Sequence, residues 1–528
     1  MDGVHLFEMV IAMLFAIIAL HYLAHRLGLP PAVALLGGGA LLAFLPGLPA
    51  ISLDPDLVLV IFLPPLLLDG AWVIPLRHLK RHLIGILSLA IGAVVFTTVV
   101  VAVVTHALIP SLPWAACAAL GAIVSPPDAV SARAVLARVR LPQRLSILLE
   151  GESLLNDATG LVLFRFAVAA AVTGTFSAVD ALGSFLLLAL GGAAVGAAVG
   201  WLWLVVVRRL QDEYLAIAAS MLVGWAAYLL AETLHVSGVI ATVVAGLICG
   251  WYQHVVFSAA IRMRGTSFWT VLIFLLEATV FMLIGSSLRG VIERVGGVRF
   301  VFEEMAAPIG VIVLALTLAR FAWVYGGDSI VALQRKLGFE RFDPVGPRAA
   351  AVLSWAGMRG VVTLAVALSV PETMPGRDFI LVTAFAVILV TVLLQGTTLA
   401  LVIRWAKPTE STVNVARLGM SQAEAAMAQV QLQLVEAKAY AADGTLMHPM
   451  LLERYRRRAN ASVNYASDEA HYQPMLYAHF DLVLEAVAAG RTELLRLHRA
   501  GEIDDRTLHE LERDLDLEEL GAASAKAT

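Results

Sequence analysis

The sequence has little charge and almost no cysteine. Only 15% of its 528 residues are Asp, Glu, Lys or Arg, whereas 59% are hydrophobic and the mean hydropathy is +0.83. Soluble proteins carry about 25% charged residues, so this composition excludes an ordinary soluble protein and indicates a chain whose solvent is the bilayer. The two cysteines, Cys117 and Cys249, lie in apolar stretches without the spacing of metal or redox motifs. We interpret them as small core residues.

Concentrated basic charge is also lacking. The net charge is −4, the pI is near 6.4, and no basic stripe with interleaved aromatic residues is present. Nucleic acid is therefore not an expected partner. The N-terminus lacks the basic region and small-residue cleavage site of a secretory signal. We expect the first apolar stretch to be a retained helix.

Long hydrophobic runs fill residues 1–405, whereas residues 406–528 are rich in Glu, Arg, Gln and Ala. A spanning helix needs roughly 20 mainly apolar residues, and segments this long exclude a membrane β-barrel. The sequence therefore predicts an all-α integral membrane domain of thirteen helices followed by a helical tail. The predicted spans are 4–26, 31–48, 57–75, 83–109, 113–138, 145–173, 180–208, 213–234, 236–252, 267–289, 303–326, 347–371 and 378–404.

The basic residues between these segments are distributed unevenly. Loops after odd-numbered segments hold eighteen Lys and Arg residues, whereas loops after even-numbered segments hold four. Because basic loops stay in the cytoplasm, we expect the N-terminus outside and the tail in the cytoplasm.

Two predicted segments carry helix breakers near their middle. Segment five contains Pro126 and Pro127, which remove two amide donors and free two carbonyls of the preceding turn. Segment twelve contains Gly357 and Gly360, which weaken its helix. Thirteen segments allow two six-helix inverted repeats around a seventh, in which segments five and twelve correspond. Such a matched pair of interrupted helices indicates a transporter's binding site near the middle of the bilayer.

Oxygen-bearing side chains cluster in the predicted sixth segment. Ser153, Asn156 and Asp157 stand at i, i+3 and i+4, so they share one helical face. Asp157 is about a dozen residues, or ~18 Å, from the helix start, which is bilayer depth. Because burial disfavours a charged carboxylate, Asp157 can bind a proton and a small cation in turn. A polar cluster that only joins helices is the structural alternative.

Further charged residues are expected to support this cluster. Asp128 supplies a second acid at similar depth, beside the freed carbonyls. Arg320 needs a partner within the membrane, and Glu152, one turn before Asn156, is the natural one. Arg359 can offset the partial negative charge where the two half-helices meet. We expect structural roles for both arginines.

Other charged residues leave two interpretations open. Asp69 and Glu277 either take part in exchange or reach interfacial water. Glu232 and His235 have the Glu-x-x-His spacing of a metal site, but a pair without two more ligands favours an interfacial position. Arg165 faces a cavity on one side of the membrane or the other.

The motifs together resemble those of the bacterial sodium/proton exchangers of the first monovalent cation/proton antiporter family, which are related to animal sodium/proton exchangers. The resemblance covers nearly the whole predicted membrane domain. It rests on Gly121–Asp128, Gly151–Ala158 and Trp355–Gly360, with Phe62–Pro65 and His235–Val239 in support.

The resemblance implies a homodimer in the inner membrane, with crossed, unwound segments five and twelve in each protomer. It also implies one-for-one, electroneutral exchange, because the family's Asn-Asp pair falls on Asn156 and Asp157. By the same resemblance, Na+ is bound by Asp157, Asp128, Ser153 and the Pro127 carbonyl, with Asp69 near it through a water, and Glu152 and Arg320 form a buried ion pair.

The expected function is therefore antiport of Na+ or Li+ against H+, without enzyme activity or a cofactor. Potassium/proton exchange is an alternative, because oxygen ligands alone do not fix the cavity size. Pro127 and Ala129 depart from the family's usual residues, which leaves the ion preference open. A channel and an intramembrane protease are not expected, since the sequence has neither repeated filter segments nor a nucleophile or metal set.

The tail carries helical composition in residues 418–440 and 476–518, with Pro408 and Pro449 as predicted breaks. The acids of residues 502–505 predict the start of a last helix. We interpret the tail as a solvated helical domain that aids dimer contact, with a regulatory role as the alternative.

Overall fold

The computed structural model describes residues 3–45, 55–128, 141–174, 178–210, 212–338, 343–408 and 418–527. These residues form helices and their connections, with one isolated bridge between Tyr440 and Leu446. The all-α class is confirmed for this part of the chain. The chain divides into two compact units, Met1–Ser411 and Thr412–Thr528, which we call the membrane unit and the tail unit.

The membrane unit consists of α-helices with short π-helical turns inside three of its longer stretches, at Ser88–Ala93, Val301–Met305 and Thr391–Gln395. Its helices are α1 (Gly3–Leu27), α2 (Pro31–Ala43), α3 (Pro55–Val73), α4 (Leu76–Leu87), α5 (Val94–Leu108), α6 (Trp114–Val124), α7 (Gln143–Thr173), α8 (Ala178–Val207), α9 (Glu213–Thr233), α10 (Gly238–Val256), α11 (Ala259–Arg294), α12 (Val298–Phe300), α13 (Ala306–Lys336), α14 (Pro347–Trp355), α15 (Val361–Leu368), α16 (Arg377–Val390) and α17 (Gly396–Ala406).

Within the described residues, nine helical stretches are long and apolar enough to cross a membrane, and three shorter apolar helices accompany them. A multi-pass helical membrane protein is therefore confirmed. The count of thirteen spans, the inverted repeats and the orientation stay predictions. The predicted segments two and five extend into residues 46–48 and 129–138, which lie outside the described residues, as does Ala129.

Two helices are interrupted where the sequence places prolines and glycines. Helix α6 ends at Val124, and residues 125–128 are not helical. Pro126 and Pro127 have no amide hydrogen to donate to the preceding turn, which gives this end a local cause. Residues 356–360 separate α14 from α15 in the same way, with Gly357 and Gly360 in the gap.

Small residues allow close helix contacts in the membrane unit. Helix α2 packs on α11, and a Cβ added to Gly39 would lie 2.6 Å from the carbonyl oxygen of Met282. A Cβ at Gly285 would likewise overlap the backbone at Leu36. In soluble proteins, helices associate largely because apolar surface is removed from water. Membrane helices lack this driving force, so close packing of this kind contributes to their association instead.

The described residues of the tail unit form helices, one of which lies outside the predicted stretches. The tail unit contains α18 (Met420–Lys438), α19 (Pro449–Ser467), α20 (Glu469–Arg499) and α21 (Asp505–Ala527). The predicted helical stretch 476–518 falls on α20 and α21, which residues 500–504 separate. Pro449 begins a helix rather than only breaking one, since proline is well suited to the first helical position. The last helix begins at Asp505, where the acids of residues 502–505 indicated a start.

Candidate functional site

One face of α7 borders a cavity of about 120 Å³ in the membrane unit. Glu150, Ser153 and Asp157 line it, and their spacing of three and four residues places them on one side of the helix. Asp157 is only 7% exposed. Helix α3 and the first residues of α15 supply the apolar wall, so the acidic groups face a largely nonpolar space.

Asp128 joins this cavity from the interrupted end of α6. Its amide donates a 2.7 Å hydrogen bond to the carbonyl oxygen of Met358. Its carboxylate lies against Gly360, where any added Cβ would overlap the Oδ2 atom. Helix α15 begins directly after Gly360, so the carboxylate lies at a helix N-terminus, where a negative charge is favoured.

Asn156 contacts the interrupted segment without lining the cavity. Its side chain is fully buried, and Nδ2 donates a 2.6 Å hydrogen bond to the carbonyl oxygen of Pro127. Among the described residues, its Oδ1 atom has no hydrogen-bond partner. Asn156 therefore ties α7 to residues 125–128, and the Pro127 carbonyl already accepts one hydrogen bond.

Arg359 is anchored by backbone carbonyls. Its Nε donates to the Val124 oxygen at 2.8 Å and its Nη2 to the Ser125 oxygen at 3.1 Å, while Nη1 contacts the Gly357 oxygen. The side chain is 2% exposed. A guanidinium in this position balances the partial negative charge at the C-terminal end of α6.

Arg320 and Glu152 form a two-pronged ion pair between α13 and α7. The Nη1 and Nη2 atoms lie 2.6 and 2.9 Å from the two carboxylate oxygens, and Nε donates to the Leu353 carbonyl at 3.2 Å. Both side chains are at most 3% exposed. Because the charges compensate each other, the pair can stay in an apolar interior. The pair joins α7 to α13, and the bond to Leu353 joins α13 to α14.

Several residues selected from the sequence lie elsewhere. Asp69 and Glu277 are not among the residues that line the cavity, although Gly70 beside Asp69 is. The cavity thus brings Asp157, Asp128 and Ser153 together.

Glu232 is engaged with Arg165, and the part of the chain that the structure describes contains no group of three or more potential metal ligands. The Arg165 Nη2 lies 3.4 Å from the Glu232 carboxylate, and the Gly238 amide donates to the same side chain. His235 adopts a left-handed backbone conformation with φ of 56°. Arg165 also borders a second cavity, of about 440 Å³, near the far end of α7.

Glu150 is the cavity residue that the sequence reasoning missed. It directly precedes the Gly151–Ala158 motif that contains Asp157. Its spacing of seven residues from Asp157 is close to two helical turns, so helical periodicity could have placed both acids on one face.

Interrupted helices that meet beside a buried acidic cavity are the architecture of a secondary transporter. A family model described as sodium/hydrogen exchanger, transmembrane, matches residues 10–405. The chain belongs to this family of sodium/hydrogen exchangers.

Two relatives and one solved structure are similar to this chain. An uncharacterized Na(+)/H(+) exchanger of Mycobacterium bovis is 34% identical over 97% of this chain and 95% of that protein. A sodium, potassium, lithium and rubidium/H(+) antiporter of Bacillus pumilus is 34% identical over 71% of this chain and 57% of its own length. The structure of the sodium proton antiporter MjNhaP1 from Methanocaldococcus jannaschii shares the fold, with a TM-score of 0.59 and 21% identity, over 75% of this chain and 98% of that one.

Proposed function

We propose that this protein is a secondary antiporter that exchanges Na+ or Li+ for H+ across the inner membrane, with Asp157 as the exchanging group. The observation that carries the proposal is the cavity in which Asp157, Asp128 and Ser153 meet beside the interrupted helices. Carboxylate and hydroxyl oxygens are the ligands that a small hard cation prefers.

A buried carboxylate supplies the exchange step. Asp157 is nearly enclosed, and an uncompensated charge there is costly, so the carboxylate is stable when it carries either a proton or a cation. The two loads therefore compete for one group. Alternating access of the cavity to the two sides of the membrane then couples inward movement of one load to outward movement of the other.

The residues around Asp157 bind the cation or hold its ligands in place. Asp128 and Ser153 act as cation ligands, and the Pro127 carbonyl has a second lone pair for the cation beside its bond to Asn156. Asn156 takes part by holding the Pro127 carbonyl in place. We keep Asp69 as a more distant group that reaches the cation through a water.

The charge count favours electroneutral exchange. Asp128 lies at the N-terminus of α15, which favours its ionised form, and Asn156 cannot titrate. One exchangeable negative charge on Asp157 balances one monovalent cation or one proton. The cycle then moves no net charge.

The proposed organisation follows the predicted domains. Residues 1–405 carry out exchange, with the N-terminus outside, and residues 406–528 form a cytoplasmic helical domain. The working unit is a homodimer embedded in membrane lipid, and its role is pH homeostasis. Membership of the exchanger family supports this organisation.

Potassium/proton exchange is a second candidate. The Bacillus pumilus relative is named for sodium, potassium, lithium and rubidium, and it is as similar in identity as the relative named for sodium alone. A cavity lined by carboxylates and a hydroxyl also accepts larger cations when it can widen.

Proton efflux from proteoliposomes tests both candidates. We expect Na+ and Li+, added separately, to release protons from acid-loaded vesicles, and a K+ response of equal size would favour the second candidate. Asp157→Asn removes the exchanging group and should abolish every response while the protein still folds and inserts. Normal transport by a folded Asp157→Asn protein would contradict the mechanism.

A further inference from the structure

Helix α18 of the tail unit has an apolar stripe that its neighbour α19 leaves uncovered. The two helices pack together, and the buried residues of α18 are Ser421, Ala425 and Ala428. On another face of α18, six apolar residues recur at alternating spacings of three and four: Met420, Ala423, Met427, Val430, Leu434 and Ala437. All six are exposed, and the exposed fraction of the four larger side chains is 48–70%. We call these six residues the α18 stripe.

The spacing of the α18 stripe is that of a coiled-coil seam. Apolar residues that alternate at three and four positions repeat every 3.5 residues on average, so they stay on the side of a helix that meets a partner helix. A helix with one neighbour needs one apolar face, whereas α18 has two. Single apolar side chains on a surface are ordinary, but a continuous row marks an interaction site. The α18 stripe therefore indicates a second partner.

The charges of α18 argue against a lipid surface as that partner. Helices that lie on membranes are rich in Lys and Arg on their polar face. Helix α18 contains one basic residue, Lys438, against two acidic ones, Glu424 and Glu436, which gives it a net charge of −1. An anionic membrane surface would not attract such a helix. A protein partner with its own apolar helix face fits better.

The α18 stripe fits a second copy of itself when the two helices run antiparallel. In one register, every residue of the stripe faces another residue of the stripe, and each larger side chain faces a smaller one. The facing residues in this register are Met420 with Ala437, Leu434 with Ala423, and Met427 with Val430. Alternation of large and small residues lets facing side chains interdigitate. The stripe therefore has the self-complementary surface that a two-fold symmetric contact requires.

We propose that the α18 stripe is a contact between two copies of this chain, in which the two α18 helices pair antiparallel about a two-fold axis. The inference rests on the homodimer of the proposed function and does not depend on which cation is exchanged. A helix of 19 residues pairs weakly on its own. A dimer of the membrane units holds the two stripes at a high effective concentration, which favours their pairing. The tail thereby adds its own contact to the dimer.

Disulfide cross-linking of the full-length protein in native membranes tests this pairing. The background is Cys117→Ala with Cys249→Ala, which removes both native thiols. Met420→Cys together with Ala437→Cys should give a cross-linked dimer after oxidation with copper phenanthroline. The two positions are about 26 Å apart along one helix, too far for a disulfide within one chain. Met420→Cys alone should give no dimer, and a dimer from it would overturn the antiparallel register.

A charge exchange separates pairing from a role in folding. In the protein with cysteines at both test positions, Met427→Glu or Val430→Lys should each abolish the cross-link, because a charge would face an apolar side chain of the other copy. The two changes together bring a carboxylate and an ammonium group face to face and should restore the cross-link. Gln429→Cys, at an exposed position outside the stripe, controls for random collision and should give no dimer. Unchanged cross-linking in both single charge variants would overturn the pairing.

Two further measurements distinguish the pairing from the proposals around it. Light scattering of the parent protein in mild detergent should give the mass of a dimer. A dimeric parent without the cross-link between positions 420 and 437 would overturn the α18 pairing alone, whereas a monomeric parent would overturn the homodimer as well. A fluorophore attached to Met427→Cys should not be quenched by nitroxide-labelled lipids. Strong quenching would assign the stripe to the membrane surface and would overturn the pairing.

Discussion

The backbone amide of Asp128 donates a 2.7 Å hydrogen bond to the carbonyl oxygen of Met358. This bond joins the non-helical end of α6 to the gap between α14 and α15. Because the Asp128 carboxylate also lies against Gly360, the two interruptions form one local structure. A substitution in either gap should therefore change the position of Asp128 in the acidic cavity.

Gly360→Ala tests this relationship. The added methyl group would overlap the Asp128 carboxylate, so either the acid or α15 must move. Overpacking of this kind typically costs ~1–3 kcal/mol, and we expect a loss of Na+-dependent proton efflux in proteoliposomes. Gly310→Ala is the matched control, because nothing lies within 4 Å of a Cβ at that position. Parent-like transport by Gly360→Ala would show that the position of Asp128 is unimportant.

Removing one member of the Arg320–Glu152 pair should destabilise the membrane unit. The remaining charge would be buried without its partner, which typically costs ~3–5 kcal/mol, so Glu152→Ala or Arg320→Ala should lower the melting temperature in detergent. Glu303→Ala breaks an exposed pair with Arg299 and should change stability by at most ~1 kcal/mol.

Replacing both members of the buried pair provides a further check. Glu152→Leu with Arg320→Met removes both charges while keeping apolar volume, so it should cost less stability than either alanine variant. A double variant less stable than both single variants would mean that the pair does more than compensate charge.

Transport should be independent of membrane voltage. One carboxylate that exchanges one proton for one monovalent cation moves no net charge. The measurement is Na+-driven proton movement in proteoliposomes whose voltage is clamped by a potassium gradient and valinomycin. A rate or endpoint that follows the imposed voltage would mean that another acid, such as Asp69 or Glu277, carries a proton in the cycle.

The apparent affinity for Na+ should weaken as the pH falls. Proton and cation compete for Asp157 in the proposed mechanism, so acid raises the KM for Na+ while saturating Na+ restores the rate. The measurement is a series of Na+ titrations at several pH values in proteoliposomes. An apparent affinity that does not vary with pH would indicate separate sites for the two ions.

The start of α21 should lose its cap in acid. The hydroxyl and the amide of Thr507 hydrogen-bond the Asp504 carboxylate and hold its pKa below the usual range. The cap is therefore fully present above the usual pKa of about 3.9 and is lost as the pH falls through the lower, folded value.

Hydrogen exchange of the full-length protein checks this last prediction. Amides in the first turn of α21 should lose protection in acid relative to Asp504→Asn at the same pH. Asparagine caps a helix about as well as aspartate but does not titrate. Equal protection in the two proteins at every pH would show that the Asp504 charge does not contribute to the cap.

Much of the fold followed from local chemistry. Consecutive prolines at 126 and 127 predicted a helix break, and α6 ends two residues before Pro126, because a missing amide acts within one helical turn. The need of a buried Arg320 for a countercharge indicated Glu152 as its partner, since a charge in an apolar interior must be compensated.

The parts that were missed depend on how helices pack. Nothing in a single helix shows that Glu150 shares a cavity with Asp128, because the wall between them comes from α3 and α15. Helix α19 was not predicted, because a proline such as Pro449 can either end a helix or occupy the first position of a new one. Whether Asp69 or its neighbour Gly70 lines the cavity likewise depends on how α3 is rotated.

Arg359 has a consequence for how this sequence can diverge. Its guanidinium is held by the main chain at Val124, Ser125 and Gly357, and every residue type provides the same carbonyl oxygen. The bonds that hold Arg359 therefore do not depend on which side chains stand at Val124 and Ser125. A comparison of many exchangers should find an arginine retained at this position even where those two side chains differ.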